Sequence, residues 1–139
     1  VSTGWAVIDG HVIACGAIQP RTKILSKKYL HVYDNICQII KQYQPDVICC
    51  EDQFVYKNVK TLKVLSRLVG VIILSGIQND IDIIFYSPTN VKRAFTGNAK
   101  ASKQIVIDKA QALTDIKLNS DMADAIAVAY TFAKEKNNG

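Results

Sequence analysis

The sequence predicts an α/β domain: a mixed sheet flanked by helices, with three antiparallel strands followed by two parallel ones. Three observations carry this prediction. Trp5-Ala6-Val7-Ile8 and Val12-Ile13-Ala14-Cys15 flank Asp9-Gly10, the signature of a tight hairpin. Val47-Ile48-Cys49-Cys50 is a continuous apolar run, as expected of a parallel strand covered on both faces. Beyond it, helical periodicity alternates with one further strand-like run at residues 81–86.

The elements follow in order. After the hairpin, residues 23–28 read as a third strand, placed at an edge because of Lys23, Lys27 and Lys28. Ile36, Ile39, Ile40 and Tyr43 keep helical spacing until Pro45 stops it. The central strand of residues 47–50 ends on Glu51. A helix over residues 58–77 is apolar on nearly all sides, so it needs cover on more than one face, the core supplying one and a second subunit the other. Ser87-Pro88 reads as an N-cap followed by proline at the first helical position. Thr96-Gly97-Asn98 breaks the chain before a helix over residues 101–113, and a last helix starts near Ser120 as N-cap.

With 139 residues, the chain is read as one domain, 1–139, long enough to bury a core. Its 49% hydrophobic and 21% charged residues exclude a disordered or fibrous protein. A net charge of +5 favours an anionic partner if the cations cluster. Cys15, Cys37, Cys49 and Cys50 lack metal-binding spacing, which points to packed thiols in a reducing, cytoplasmic compartment. His11 and His31 are read as surface residues without a catalytic role. No signal peptide is visible. The best membrane-span candidate, residues 68–74, contains Gly70 and falls well short of the roughly 20 apolar residues needed, so no membrane is expected as partner. The sequence opens at Val1 directly on strand-like residues and its one methionine is Met122, so native residues are expected upstream.

Chemistry concentrates at Asp121-Met122-Ala123-Asp124. Positions i and i+3 share a helix face, where two carboxylates repel unless a cation sits between them. A hard divalent ion resolves that conflict through oxygen ligands. Locally, the competing reading is a capped helix start whose acids favour the macrodipole. In an open α/β sheet, functional groups gather at the carboxyl ends of strands, and Glu51 occupies such an end. Two basic clusters lie nearby in the reading. Lys57, Lys60, Lys63 and Arg67 share about a third of one helix circumference, and Lys92, Arg93, Lys100 and Lys103 surround the Thr96-Gly97 break. Acidic metal ligands ringed by cations suit an approaching polyanion.

These residues resemble the RuvC family of Holliday-junction resolvases, which have the RNase H-like fold. Ser2-Thr3-Gly4-Trp5-Ala6-Val7-Ile8 is similar to the family's first strand. Gln44-Pro45-Asp46, Glu51-Asp52-Gln53-Phe54 and Lys57-Asn58 resemble its central strand, glutamate and following loop. Tyr86-Ser87-Pro88-Thr89-Asn90-Val91-Lys92 and the run from Thr96 to Val106 are the most specific stretches. Asp121 to Ala129 matches its closing Asp-x-x-Asp-Ala motif.

The resemblance implies a five-stranded RNase H-like sheet and a homodimer that cuts two strands of a four-way DNA junction, using two Mg²⁺ or Mn²⁺ ions per site. It implies that Glu51, Asp121 and Asp124 hold metal, that Lys103 and Lys92 meet phosphates near the cut, and that Phe54 stacks on a base at the crossover, with burial in the core as the alternative for Phe54. Lys57, Asn58, Lys60, Lys63, Arg67 and Lys100 complete the expected DNA contacts. In one respect the sequence departs from the family: the aspartate of an Asp-Pro-Gly upstream of the first strand would precede Val1, and Asp9, at the far turn, cannot replace it. Two alternatives follow, a junction-binding protein that does not cut, and an RNase H-like nuclease with another nucleic-acid substrate.

Overall fold

The computed structural model describes residues 2–52 and 58–138. In chain order it contains β1 (Thr3–Ile8), β2 (Val12–Ile18), α1 (Leu25–Tyr43), β3 (Val47–Glu51), α2 (Val59–Gln78), β4 (Asp82–Tyr86), α3 (Pro88–Thr96), α4 (Lys103–Gln111) and α5 (Ser120–Asn138). β1 and β2 form an antiparallel ladder from Thr3↔Ile18 to Ile8↔Val12. β3 and β4 pair in parallel from Val47↔Asp82 to Glu51↔Tyr86, with α2 as the crossover.

Two local expectations are corrected. A register shift between Val7 and Ile8 brings Ile8 opposite Val12, so the hairpin closes through the three residues Asp9-Gly10-His11. Only Gly10 there takes a positive φ, of 76°. The expected third strand at residues 23–28 is instead the approach to α1 and its first turn, where the Lys28 N–H donates to the Ile24 carbonyl at 2.9 Å. Tyr29, Val32, Ile36 and Ile39 recur at helical spacing and pack against Ile18 and Leu68, so burial of that face extends the helix back over the lysines. Among the described residues the strands therefore number four, in two two-stranded ladders, rather than five in one sheet.

The core lies on both faces of these ladders. On one side, Tyr86, Val91, Phe95, Val106 and Ala110 pack with Ala123, Ile126, Ala127 and Val128 of α5. On the other, Ile18, Val32 and Leu68 join Trp5, Val64 and Val71 beneath α1 and α2. Successive β1 residues face opposite sides, Trp5 toward α1 and α2, Ala6 toward α5. Burial pushes the Cys49 thiol up to about 11 and the Cys50 thiol up to about 12, which leaves both as inert apolar filling.

α2 corrects a third expectation. By length and composition it is long and apolar enough to cross a membrane. It packs along α1, and the Tyr33 hydroxyl meets the Gln78 side chain near its end. Much of the apolar surface stays uncovered, with Val59 62%, Leu74 49% and Ile77 65% exposed.

Candidate active site

Glu51 closes β3 and stands half-buried opposite Tyr86. The Asp52 N–H donates to the Tyr86 carbonyl at 2.7 Å, which carries the ladder one step past Glu51 and holds its backbone in register.

The acidic pair arrives on α5. Its start is capped by Asn119, not Ser120: Asn119 Oδ1 accepts from the Met122 N–H at 2.9 Å and its carbonyl from the Ala123 N–H at 3.1 Å. Either residue type suits the cap, and the choice falls to the one whose oxygen reaches three residues on. Two side chains hold the preceding loop, Thr114 Oγ1 accepting from the Ile116 N–H at 3.2 Å and Gln111 making the rest. Gln111 donates to the Thr114 and Ile116 carbonyls at 3.2 and 2.8 Å, and accepts from the Leu118 N–H at 3.0 Å. α5 then lies flush on β1, because Gly4 has no side chain to hold it off. A Cβ at position 4 would sit 2.2 Å from the Asp121 carbonyl oxygen.

Lys103 arrives from α4, of which it is the first residue. The turn before it is tightly bonded. Gly97 ends α3 at φ 83°, the Asn98 N–H donates to Thr96 Oγ1 at 3.1 Å, and the Lys100 N–H donates to Asn98 Oδ1 at 2.9 Å. Ser102 caps α4 by accepting from the Ile105 N–H at 3.3 Å. Lys103 Nζ thereby reaches Asp124 Oδ2 at 3.1 Å.

The electrostatics join these pieces. Burial, then the Asp124 charge, pushes the Glu51 carboxyl above its ordinary value, against the opposing pull of Lys103 and Lys92. For Lys103, burial pulls downward, but the hydrogen bond and charge of Asp124, with Asp121 and Glu51 behind, carry the ammonium above its ordinary value. Glu51, Asp121, Asp124, Lys103 and Lys92 thus form one interacting cluster. No three metal-ligating side chains among the described residues stand together around one point.

The remaining expected residues lie elsewhere. Phe54 and Lys57 fall outside the described residues. Lys60, Lys63 and Arg67 are exposed along α2. Asn58 caps that helix, its Oδ1 accepting from the Lys60 N–H at 3.0 Å. Lys100 is exposed beside the turn, and Arg93 bonds Asn90 on its own helix at 3.1 Å. Gly4, Asn119 and Gln111 carry the site's placement without having been singled out for it. Of these, only Asn119 had a readable signal, a cap-type residue next to Ser120.

The chain is thus an α/β domain whose acidic edge is faced by a lysine from a neighbouring helix. The chain belongs to the RuvC family: the model of the crossover junction endodeoxyribonuclease RuvC matches residues 1–132. It is 38% identical over 137 residues to the crossover junction endodeoxyribonuclease RuvC of Caldicellulosiruptor saccharolyticus, covering 91% of this chain and 82% of that one. To the RuvC of Protochlamydia amoebophila it is 34% identical over 141 residues, covering 95% and 84%. The fold superposes on Thermus thermophilus RuvC in complex with a Holliday junction substrate at a TM-score of 0.85 and 19% identity, over 96% of this chain and 86% of that one.

Proposed function

We propose that this chain resolves four-way DNA junctions by metal-dependent phosphodiester cleavage, in the service of recombination and repair, with Glu51, Asp121, Asp124 and Lys103 as its working groups. The observation that carries the reading is the 3.1 Å Lys103–Asp124 pair beside a half-buried Glu51. Folding alone does not favour crowding carboxylates until one resists ionisation. A reaction at a phosphodiester does, because it needs both a cation site and a fixed positive charge.

The donor chemistry suits a hard divalent ion such as Mg²⁺ or Mn²⁺, although the three acids do not converge on one point in this arrangement. All three acids offer oxygen, and Asp124 already holds a cation, the Lys103 ammonium. Glu51, Asp121 and Asp124 would hold the metal, which supplies Lewis-acid stabilisation of phosphoryl charge when bound. Two ions per site is the family-like arrangement we favour. Lys103 stays protonated at neutral pH and stabilises charge that builds on the phosphate, rather than taking a proton. Lys92 adds to the field that draws the backbone in, and Lys60, Lys63, Arg67 and Lys100 extend it outward. Phe54 is the candidate for stacking at the crossover, and Lys57 and Asn58 are further candidates for DNA contact.

Two symmetric cuts require two copies of the site. The uncovered apolar length of α2, with Leu74 and Ile77 exposed, supports a homodimer through that helix. The free thiols fit a reducing cytoplasm.

The deciding experiment incubates the protein, as its gene encodes it, with four-way junction and with linear duplex of equal length in Mg²⁺. Paired nicks in the junction alone are expected, and are lost in Asp124→Asn while binding persists. Equal cutting of both DNAs, or of neither, would overturn the reading.

A further inference from the structure

Four cations close together in sequence take no part in the site described so far. Arg21, Lys23, Lys27 and Lys28 stand in the β2–α1 connection and the first turn of α1, with no acidic residue anywhere between Asp9 and Asp34. Arg21, Lys23 and Lys27 are exposed, and none of the four forms an ion pair among the described residues. Their charge does not serve the helix. α1 has no acid in its first turn, and cations there oppose the macrodipole, whose positive end lies at that terminus. A segment that lowers its own helix's stability to concentrate positive charge is arranged for something outside the chain.

Topology says where that something lies. Ile18, the last residue of β2, pairs with Thr3. The next residue, Gly4, abuts the Asp121 backbone. The chain therefore leaves β2 at the same end of the fold as the acidic edge. One ladder spacing of about 4.8 Å and three residues of chain at no more than about 3.5 Å each bring Arg21 within roughly 20 Å of Asp121. Duplex DNA carries one phosphate charge per about 1.7 Å of axis, so 20 Å corresponds to about six base pairs.

We infer that the β2–α1 connection is a second DNA contact, which grips the phosphate backbone of a junction arm within about six base pairs of the branch. This inference rests on the nuclease reading for its ligand. Arg21, Lys23 and Lys27 supply the charge, and Lys28, half-buried, adds to it. The contact carries no sequence information, since it is made to phosphates. It sets the angle at which an arm leaves the acidic edge.

The test uses a triple variant, Arg21→Gln, Lys23→Gln and Lys27→Gln, with a charge-keeping control, Arg21→Lys with Lys23→Arg. Junction affinity is measured across a salt series without divalent ion, and cleavage separately with Mg²⁺. Removing three phosphate contacts should lower the slope of log affinity against log salt by about 2 to 3. The control should keep the slope of the unaltered protein. Methylphosphonate linkages placed within about six base pairs of the branch should weaken binding by the unaltered protein more than by the triple variant. An unchanged slope, or equal sensitivity of both proteins to the neutral linkages, overturns the inference, even if junctions are still cut. Capture of an acidic protein with no effect on DNA binding overturns it as well. If the slope falls but no form of the protein cuts DNA, the arm contact stands and the nuclease reading fails.

Discussion

Gly4 and Asp121 touch backbone to backbone. A Cβ on Gly4 would lie 2.2 Å from the Asp121 carbonyl oxygen and 2.8 Å from the Met122 nitrogen. The first strand thereby sets the height of the helix that carries both aspartates. No side chain intervenes whose rotamer could absorb a change.

Gly4→Ala should therefore lift the start of α5 off β1. Overpacking against backbone costs about 1 to 3 kcal/mol, and the displacement carries Asp121 and Asp124 away from Glu51. Thermal unfolding should show the loss of stability, and junction cleavage should fall further than junction binding. A variant that keeps its Tm and its cutting rate would show that the close approach is not needed.

Glu51 controls a pH-dependent part of stability. Burial and Asp124 raise its folded pKa, so the folded state binds the Glu51 proton more tightly than the unfolded chain does. The resulting stability is fully present below the unfolded carboxylate value and is lost as pH rises through the folded one. In the absence of divalent ion, Glu51→Gln should thus exceed the parent in Tm at neutral pH, and the gap should close on acidification. Added Mg²⁺ should narrow it from the other side by stabilising only the parent. A gap that is indifferent to both pH and metal would remove Glu51 from the cluster.

Lys103 occupies the Asp124 carboxylate that the proposed metal would need. Lys103→Gln should let Mg²⁺ or Mn²⁺ raise the Tm at lower concentration than in the parent, because the resident ammonium is gone. Its cleavage rate should nonetheless fall by about 10²- to 10³-fold, as when a charge-stabilising donor is removed from a transition state. Tighter metal response with slower cutting separates the two roles. Equal metal response in both proteins would mean that the pair does not guard the site.

Tyr86 ties the end of β4 to the far part of α5, its hydroxyl donating to Glu135 Oε2 at 2.8 Å. Burial, then that bond, raises the phenol above its ordinary value, so its stabilisation persists until strongly alkaline pH. Tyr86→Phe should cost about 1 kcal/mol at neutral pH. Glu135→Gln, which keeps an acceptor oxygen, should cost less. Equal losses in urea unfolding would assign the effect to charge rather than to the hydrogen bond.

Much of the fold was legible because it depends on near neighbours. The apolar run ending on Glu51, the Ser87-Pro88 helix start and the i, i+3 spacing of Asp121 and Asp124 all follow from periods of a few residues, and the structure contains each. The lysines at 23–28 misled for the same reason. Locally they suit an edge strand, and only burial of Tyr29 and Val32 against Ile18 and Leu68 makes that segment helical. The family's order of motifs named Glu51, Asp124 and Lys103 together, whereas no local rule could.

What the sequence by itself determined is most of the set of parts: the main strands and helices other than the start of α1, which of them end in carboxylates, and which carry the cations. Tertiary structure alone decided their meeting. Gly4 lets α5 close on β1, Gln111 holds the loop that delivers Asn119 and its cap, and the turn at Thr96–Ser102 aims Lys103 at Asp124. The division has a physical cause. Hydrophobic periodicity and capping act over one or two turns, and a chain records them locally. The distance between two charges on different elements is set by packing and by the presence or absence of single side chains, and no period in the sequence encodes it.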